Sequence, residues 1–150
     1  MKRLIAFAVA PLLAMTVFSA AAGADPIADR QAIMKDQGKT IGSIVPIAKG
    51  EKPFDAAAVL AALSRLNEDA QKIDPAALFP AGSDTGGETT ASPKIWEDNA
   101  GFVAAVNKYK ADAAAAAAAK PQDLDSFKLA FAQVSQNCGA CHQTFRVKKN

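Results

Sequence analysis

One stripe of apolar residues near the C-terminus restricts the fold more than any other feature of the chain. Its members stand alternately three and four positions apart: Leu124, Phe127, Phe131, Val134, Cys138, Cys141 and Phe145. This period predicts an amphipathic helix whose apolar face packs into a protein interior. Because two cysteines continue the stripe without a break, the group that they bind must lie against the core as well. The chain therefore needs a helical fold that holds a cysteine-linked group inside.

The two cysteines belong to the motif Cys138-Gly139-Ala140-Cys141-His142. C-x-x-C-H is the attachment site of a c-type haem, in which two thiolates bond to the porphyrin vinyl groups and the histidine ligates the iron. These are the only two cysteines and the only histidine among 150 residues. The motif predicts one covalently bound haem c, held by Cys138 and Cys141, with His142 as the proximal ligand.

The same three side chains permit two other interpretations, a redox dithiol or part of a zinc site. A disulfide exchanger would need the strand and helix context of a thioredoxin-like fold, and the sequence shows no such pattern. A zinc site would need a fourth ligand, and the chain has no other cysteine or histidine. Both alternatives are therefore less favoured than haem.

The N-terminus has the pattern of a secretory signal peptide. Lys2 and Arg3 give a positive start, an apolar run follows, and small residues at A-x-A spacing precede Asp25. Cleavage is expected after Ala22 or Ala24. The apolar run is shorter than the roughly 20 residues that span a bilayer, which disfavours a membrane anchor. An exported chain of this kind is expected in the periplasm.

Cleavage would leave a single domain. We assign residues 1–22 to the signal peptide and residues 23–150 to one domain that is long enough to bury a core. Removing Lys2 and Arg3 from the 17 basic residues leaves 15, which equals the number of acidic residues. This balance gives no sign of a nucleic-acid or anionic-lipid partner. We therefore expect no nucleic acid and no stable membrane association.

A second apolar stripe predicts the first helix, between Asp25 and Lys49. Its apolar members are Ile27, Met34, Ile41, Val45 and Ala48, and Arg30 and Gln37 lie on the same stripe. This face, Met34 included, should point to the bundle core. Pro46 lacks a backbone N–H, so we expect a bend in the last turns before Gly50 ends the helix.

Two further stripes predict the second and third helices. The second begins at the N-cap Asp55 and carries Val59, Leu63, Leu66, Ala70 and Ile73. The third opens with Ser92 as cap and Pro93 at its first position, and it carries Ile95, Trp96, Phe102, Val103, Val106 and Tyr109. It runs into Ala113–Ala119, which we expect to be a slim or fraying end.

The connection from Pro75 to Ser92 is rich in Pro, Gly, Ser and Thr, which predicts little regular structure. Its apolar pair, Leu78-Phe79, should pack onto the core or the haem edge. Four amphipathic helices without strand-like alternation predict an all-α fold, an antiparallel four-helix bundle with the haem held between facing helices.

The sixth position on the iron depends on Met34. Met1 and Met15 would leave with the signal peptide, so Met34 would be the only methionine of the mature chain. A methionine on an apolar stripe either packs in the core or ligates the metal, and the residues alone leave both possibilities open. A His/Met pair gives a low-spin iron suited to electron transfer. An empty sixth site gives a five-coordinate iron that could bind a small gas.

Two arginines stand near these ligands. Arg30 lies four residues before Met34, and Arg146 lies four residues after His142. Either guanidinium could pair with a haem propionate. Each could equally be a solvated surface charge.

The chain resembles the class II c-type cytochromes, the cytochrome c prime family, over essentially all of its mature length. The segments that carry the resemblance are Arg30–Lys35, Ala48–Asp55, Ser92–Trp96 and Cys138–Arg146. Within that family it is most similar to the low-spin cytochrome c-556 branch. The resemblance implies that Met34 is the sixth ligand, that Arg30 contacts a propionate, and that Arg146 is the arginine on the proximal side. It also implies a possible homodimer.

These observations predict a periplasmic single-electron carrier with a low-spin haem ligated by His142 and Met34. The alternative is a high-spin, five-coordinate cytochrome c prime that binds NO or CO. The sequence has no pair of catalytic carboxylates and no nucleophile beside a base, so we do not expect an enzyme. The expected partners are redox proteins, whose identity the sequence does not give.

Overall fold

The computed structural model describes residues 25–148, and four long helices form its framework. The helices in chain order are α1 (Pro26–Ala48), α2 (Ala56–Gln71), α3 (Pro75–Leu78), α4 (Lys94–Glu97), α5 (Asn99–Ala119) and α6 (Leu124–Phe145). The long members α1, α2, α5 and α6 confirm the predicted antiparallel four-helix bundle. The predicted signal peptide, residues 1–22, lies outside the described residues.

Short polar side chains fix where the long helices begin. The Asp25 carboxylate accepts hydrogen bonds from the N–H groups of Ile27 and Ala28, at 3.0 and 3.1 Å. Asp55 caps α2 as predicted, and Asp123 forms a reciprocal capping box with Ser126 at the start of α6. Such caps satisfy backbone donors that the first turn of a helix leaves unpaired. At the other end of α1, Gly50 takes a φ of +75°, a left-handed conformation that glycine adopts without strain.

The apolar core lies between α2, α5, α6 and the last turns of α1. Val59, Leu66, Phe127 and Val134 are completely buried there. The predicted stripes of these helices are therefore largely confirmed, with the two cysteines at the partly buried end of the α6 stripe.

The buried face of α1 differs from the prediction. Ile44 and Ile47 are its buried apolar residues, whereas the predicted core residue Met34 is 38% exposed. Met34 borders a cavity instead of packing in the core. The stripe does face inward, but what lies opposite it is open space and not another helix.

The predicted third helix is two helices. The chain breaks at Asp98, which has φ −122° and ψ 58°, and its carboxylate caps α5 by accepting from the N–H of Gly101 at 3.1 Å. Pro93 precedes α4 as its N-cap and does not stand at its first position. A local cap thus starts a new helix inside a stripe whose period alone predicts a single one.

The alanine run is a packed part of α5 and not a fraying end. The helix continues to Ala119, and Ala113 and Ala116 are only 1% and 2% exposed. A methyl side chain fills little space, so neighbouring backbones can approach it closely. The run is slim, as predicted, but it contributes to the core.

The predicted connection from Pro75 to Ser92 consists mainly of turns and bends, apart from the short helix α3 at its start. Its apolar pair packs onto the core as predicted: Leu78 is buried, and the ring of Phe79 meets that of Phe102 edge-on at 4.7 Å. One antiparallel bridge joins Ala91 to Arg146 just beyond α6. This bridge places the connection beside the end of the helix that carries the C-x-x-C-H motif.

Candidate functional site

A cavity of about 460 Å³ opens between α1, α5 and α6. Its wall is mostly apolar and includes Ile41, Ile73, Ile95, Phe102, Val106 and Phe145. All six predicted site residues border this one cavity: Arg30, Met34, Cys138, Cys141, His142 and Arg146. The structure therefore brings together side chains that are more than 100 positions apart in the chain.

The α6 wall carries the thiols and the imidazole. Cys138 and Cys141 are free and partly buried, and burial raises the pKa of both thiols. Burial also lowers the pKa of His142, and the positive charge of Arg146 adds to that effect. Both shifts favour neutral side chains, so α6 presents neutral sulfur and nitrogen atoms to an apolar space.

The α1 wall carries Met34, with Gln37 and Ile41 on the next turns. A large apolar side chain that is 38% exposed has little packing of its own here. Met34 and His142 thus stand on two different helices that border the same space. A thioether on one wall and an imidazole on the other form a donor set that haem iron accepts.

The guanidinium of Arg30 is hydrogen-bonded to other residues of the same chain. The residue is 5% exposed, and its guanidinium donates four hydrogen bonds, to Leu78 O at 3.0 Å, Ser83 Oγ at 2.9 Å, Ser83 O at 2.5 Å and Thr89 Oγ1 at 2.7 Å. It also lies 4.9 Å from the centre of the Phe79 ring. Burial lowers the pKa of Arg30, while Asp25 and Asp84 act in the opposite direction. These bonds occupy all four N–H groups of its two terminal nitrogens.

Arg146 ends α6 and is exposed. Its Nε donates to Thr90 Oγ1 at 3.2 Å. Both predicted propionate arginines therefore contact the connection between α3 and α4. Contact of either arginine with a propionate stays a prediction.

Three buried polar atoms have no hydrogen-bond partner within residues 25–148: Gln37 Nε2, Asp69 Oδ2 and the Tyr109 hydroxyl oxygen. Gln37 and Tyr109 border the cavity, so two of these atoms belong to its wall. Burial raises the pKa of Tyr109, which keeps the hydroxyl neutral. An unsatisfied buried group suggests a missing partner, and here the wall stands next to the space that a cofactor would fill.

Sequence reasoning missed several polar residues of the site. Thr89 and Thr90 border the cavity from the connection, and Asn137 borders it from α6, where its Nδ2 donates to Asp112 Oδ2 at 2.7 Å. No periodic pattern marks these residues, because their position depends on where a turn-rich segment crosses the bundle.

The cavity fits haem c by its chemistry. It is apolar, two thiols three residues apart line one wall, and an imidazole and a thioether are the available iron ligands. Within the described chain no group of three or more His, Cys, Asp or Glu residues could hold a metal ion. The residues that the structure describes therefore offer no set of ligands for the zinc site considered from the sequence.

Comparisons with known proteins agree with this chemistry. A family model described as cytochrome C' matches residues 25–146. Cytochrome c' of Rhodopseudomonas palustris is 44% identical over 131 residues, which cover 87% of this chain and 88% of the relative. Cytochrome c-556 of Agrobacterium fabrum is 40% identical over 126 residues, which cover 84% of each protein.

Solved structures show the same similarity. The structure of cytochrome c' from Rhodopseudomonas palustris matches with a TM-score of 0.77 at 44% identity, over 85% of this chain and 99% of the other. A structural model of oxidised cytochrome c556 from the same organism matches with a TM-score of 0.71 at 35% identity, over 84% and 98%. A family match over nearly the whole described chain, on a bundle whose cavity holds the C-x-x-C-H side chains, shows that the protein belongs to the cytochrome c' family of c-type cytochromes and has covalently attached haem c as its cofactor.

Proposed function

We propose that this c-type cytochrome is a single-electron carrier with a low-spin haem, in which His142 and Met34 are the two axial ligands. Its family makes it either an electron carrier or a ligand-binding cytochrome. The observation that carries the choice is the position of Met34 on the α1 wall of the cavity that His142 borders from α6. The bound iron would supply one-electron chemistry between its ferric and ferrous states.

Cys138 and Cys141 hold the porphyrin through two thioether bonds in this proposal. Both thiols line the cavity, and the α6 stripe on which they lie runs into the apolar core. His142 follows Cys141 directly, so the covalent anchor and the proximal ligand lie on one turn of a well-packed helix. This arrangement fixes the iron relative to α6.

Met34 completes the coordination from α1. Its side chain is flexible and faces the cavity, and a thioether is a soft ligand that raises the reduction potential of haem iron. The same two ligands can remain bound in both oxidation states, so little rearrangement accompanies electron transfer. The protein then needs no open site on the iron.

Optical spectra of the ferric and ferrous protein test this proposal, with Met34→Ala as the variant and Ile41→Ala as the control. Ile41 borders the same cavity from the same helix but has no ligating atom. We expect a low-spin wild type with the weak near-infrared band of methionine-to-iron charge transfer. Met34→Ala should lose this band and become high-spin, and Ile41→Ala should keep it.

The second candidate function is a high-spin cytochrome that binds NO or CO at the sixth position. It is supported by the relatives, since proteins named cytochrome c' and cytochrome c-556 match this chain at similar identity. A wild type that is already high-spin and binds CO rapidly would contradict Met34 ligation and favour this function.

We also make inferences about the location of the protein and about its partners. We infer export to the periplasm, with residues 1–22 removed and residues 23–150 as the working domain, and electron exchange with other redox proteins. We also infer a possible homodimer, and no enzymatic reaction of the chain's own. No helix within residues 25–148 is long and apolar enough to cross a membrane. Cell fractionation and the N-terminal mass of the purified protein test export, and sedimentation tests the dimer.

A further inference from the structure

One segment crosses the molecule from α1 to α6, and we call residues 78–92 the strap. It includes Leu78 at the end of α3 and the turns that follow as far as Ser92. Phe79, Thr89, Thr90 and Ala91 border the cavity, so the strap forms part of its wall. Most of the strap, from Leu78 to Thr89, is bound to α1, and its last residues are bound to α6; these are the two helices that carry the proposed iron ligands.

The α1 end of the strap is held mainly by Arg30. The four hydrogen bonds of its guanidinium all go to strap residues, Leu78, Ser83 and Thr89. The next residue, Gln31, adds a bond from its side-chain amide to the carbonyl of Glu88. Arg30 stands four residues before Met34, which is about 6 Å along the helix axis. The clamp and the proposed ligand are therefore neighbours on one helix.

The α6 end of the strap is held mainly by backbone bonds. Ser92 N donates to Phe145 O at 3.0 Å, and Val147 N donates to Thr90 O at 2.9 Å. Arg146 adds the bond from Nε to Thr90 Oγ1. Phe145 is three residues after His142, so this end is also about one turn from a proposed ligand.

The way the helices pack explains why the strap matters for the distance between α1 and α6. α1 packs mainly against α2, and α6 packs mainly against α5; α1 and α6 also contact each other directly, but the cavity lies between them at Met34 and His142. The strap connects the two ligand helices directly, through polar bonds on both sides. A functional site needs its groups held within about 0.5 Å of the productive geometry, and helix packing away from the cavity leaves the distance between Met34 and His142 less well fixed.

We propose that the strap sets the distance between α1 and α6 and so holds Met34 within bonding reach of the iron, with Arg30 as its main positioning residue. This inference rests on the proposed function, because it assumes that Met34 is a ligand. It gives Arg30 a role that differs from the predicted propionate contact. A lysine at this position could still pair with a propionate as a point charge, whereas the clamp needs a planar fork of donors aimed at four acceptors.

Arg30→Lys in the haem-loaded full-length protein separates these roles. Lysine keeps the charge, but its ammonium presents donors from a single point and cannot span the four acceptors. The matched control is Lys35→Gln, which removes a charge without adding an iron ligand: Lys35 is an exposed cation that borders the cavity from the same helix and makes no hydrogen bond to the strap within the described residues. Thr89→Val is a milder variant that removes one acceptor and nearly preserves side-chain shape.

Three measurements report the result: amide hydrogen exchange in residues 78–92, the near-infrared methionine-to-iron band, and the rate of CO binding to the ferrous protein. In Arg30→Lys we expect exchange in the strap to become at least roughly tenfold faster, since the loss of one buried bond to a charged group is enough for that factor. The band should weaken and CO binding should accelerate. Thr89→Val should show the same changes to a smaller extent, and Lys35→Gln should match the wild type.

Three outcomes would contradict this inference, and they can be told apart. A wild type without the methionine-to-iron band would defeat the proposed function and this inference with it. A wild type with the band, together with an Arg30→Lys variant in which the strap exchanges faster while the band and the CO rate stay unchanged, would overturn this inference alone. Unchanged strap exchange in Arg30→Lys would overturn it as well, because Arg30 would then not be the clamp.

Discussion

The core side and the cavity side of the bundle are held together by different forces. Between α2, α5 and α6 the contacts are apolar, and residues such as Leu66 and Phe127 are fully buried. Along the cavity, Met34 is partly exposed, and the ordering contacts are the polar bonds of Arg30 and the strap. The difference indicates that the core side can assemble from the polypeptide alone, whereas the cavity side needs its cofactor and the strap for a fixed shape.

The largest expected effect is on the core side. Phe127 is fully buried, and its ring stacks on Phe131 with centroids 5.6 Å apart. Phe127→Ala should lower the free energy of unfolding by about 3–5 kcal/mol, through lost burial and the cavity that remains. Denaturant unfolding of the haem-loaded protein measures it. Leu129→Ala on the same helix is the control, because Leu129 is 74% exposed and should change stability by less than about 0.5 kcal/mol. Equal losses in the two variants would contradict an apolar core on this side.

A smaller effect is expected from acid at the border between the two sides. Asp112 on α5 binds Lys108 and accepts from Asn137 on α6, and these two partners lower the pKa of its carboxyl. A carboxyl whose pKa is lower in the folded than in the unfolded protein stabilises the fold. The full contribution is present above the pKa of the unfolded state, which is near 4, and it is lost as the pH falls through the pKa of the folded state.

Asp112→Asn should therefore be less stable than the wild type at neutral pH, by less than about 1 kcal/mol because Lys108, its ion-pair partner, is exposed and solvent screens the pair. The difference should shrink as the pH falls below about 4. Unfolding midpoints in urea across this range measure it. A difference that stayed constant with pH would show that the Asp112 charge contributes nothing to holding α5 on α6.

The smallest effect is expected on the cavity side, at Tyr109. Its hydroxyl is buried without a partner among the described residues, so Tyr109→Phe removes an unsatisfied group. We expect stability to stay the same or to rise by up to about 1 kcal/mol. The measurement is again denaturant unfolding of the haem-loaded protein. A loss of more than about 1 kcal/mol would show that the hydroxyl finds a partner once the cofactor is bound.

The same division explains what the sequence could predict. The α2 and α6 stripes match the structure because their apolar residues pack against other helices, and that packing leaves a 3.6-residue period in the sequence. The prediction from the α1 stripe is less accurate, because the side chains around Met34 face a cavity and do not pack against another helix. The sequence does not predict the break at Asp98, because a single capping side chain interrupts an apolar stripe that is otherwise continuous.

The sequence predicts the candidate haem ligands of the site, but not the hydrogen bonds that hold the surrounding residues in place. Cys138, Cys141, His142 and Met34 are identifiable because few residue types bind haem and the chain has few of them. All four border the cavity, while their roles stay predictions. The partners of Arg30 could not be predicted, because they lie 48 to 59 positions away in a segment without periodicity.

That sequence separation also has a consequence for the order of folding. The bonds from Arg30 to the strap close chain segments of about fifty residues, and the bond between Arg146 and Thr90 spans 56. Contacts between distant positions carry a larger chain-closure cost than the local bonds of a helix, so they form late and open early. We therefore expect the newly made chain to form its helices first, and to join the strap to α1 and α6 only once those helices have packed together.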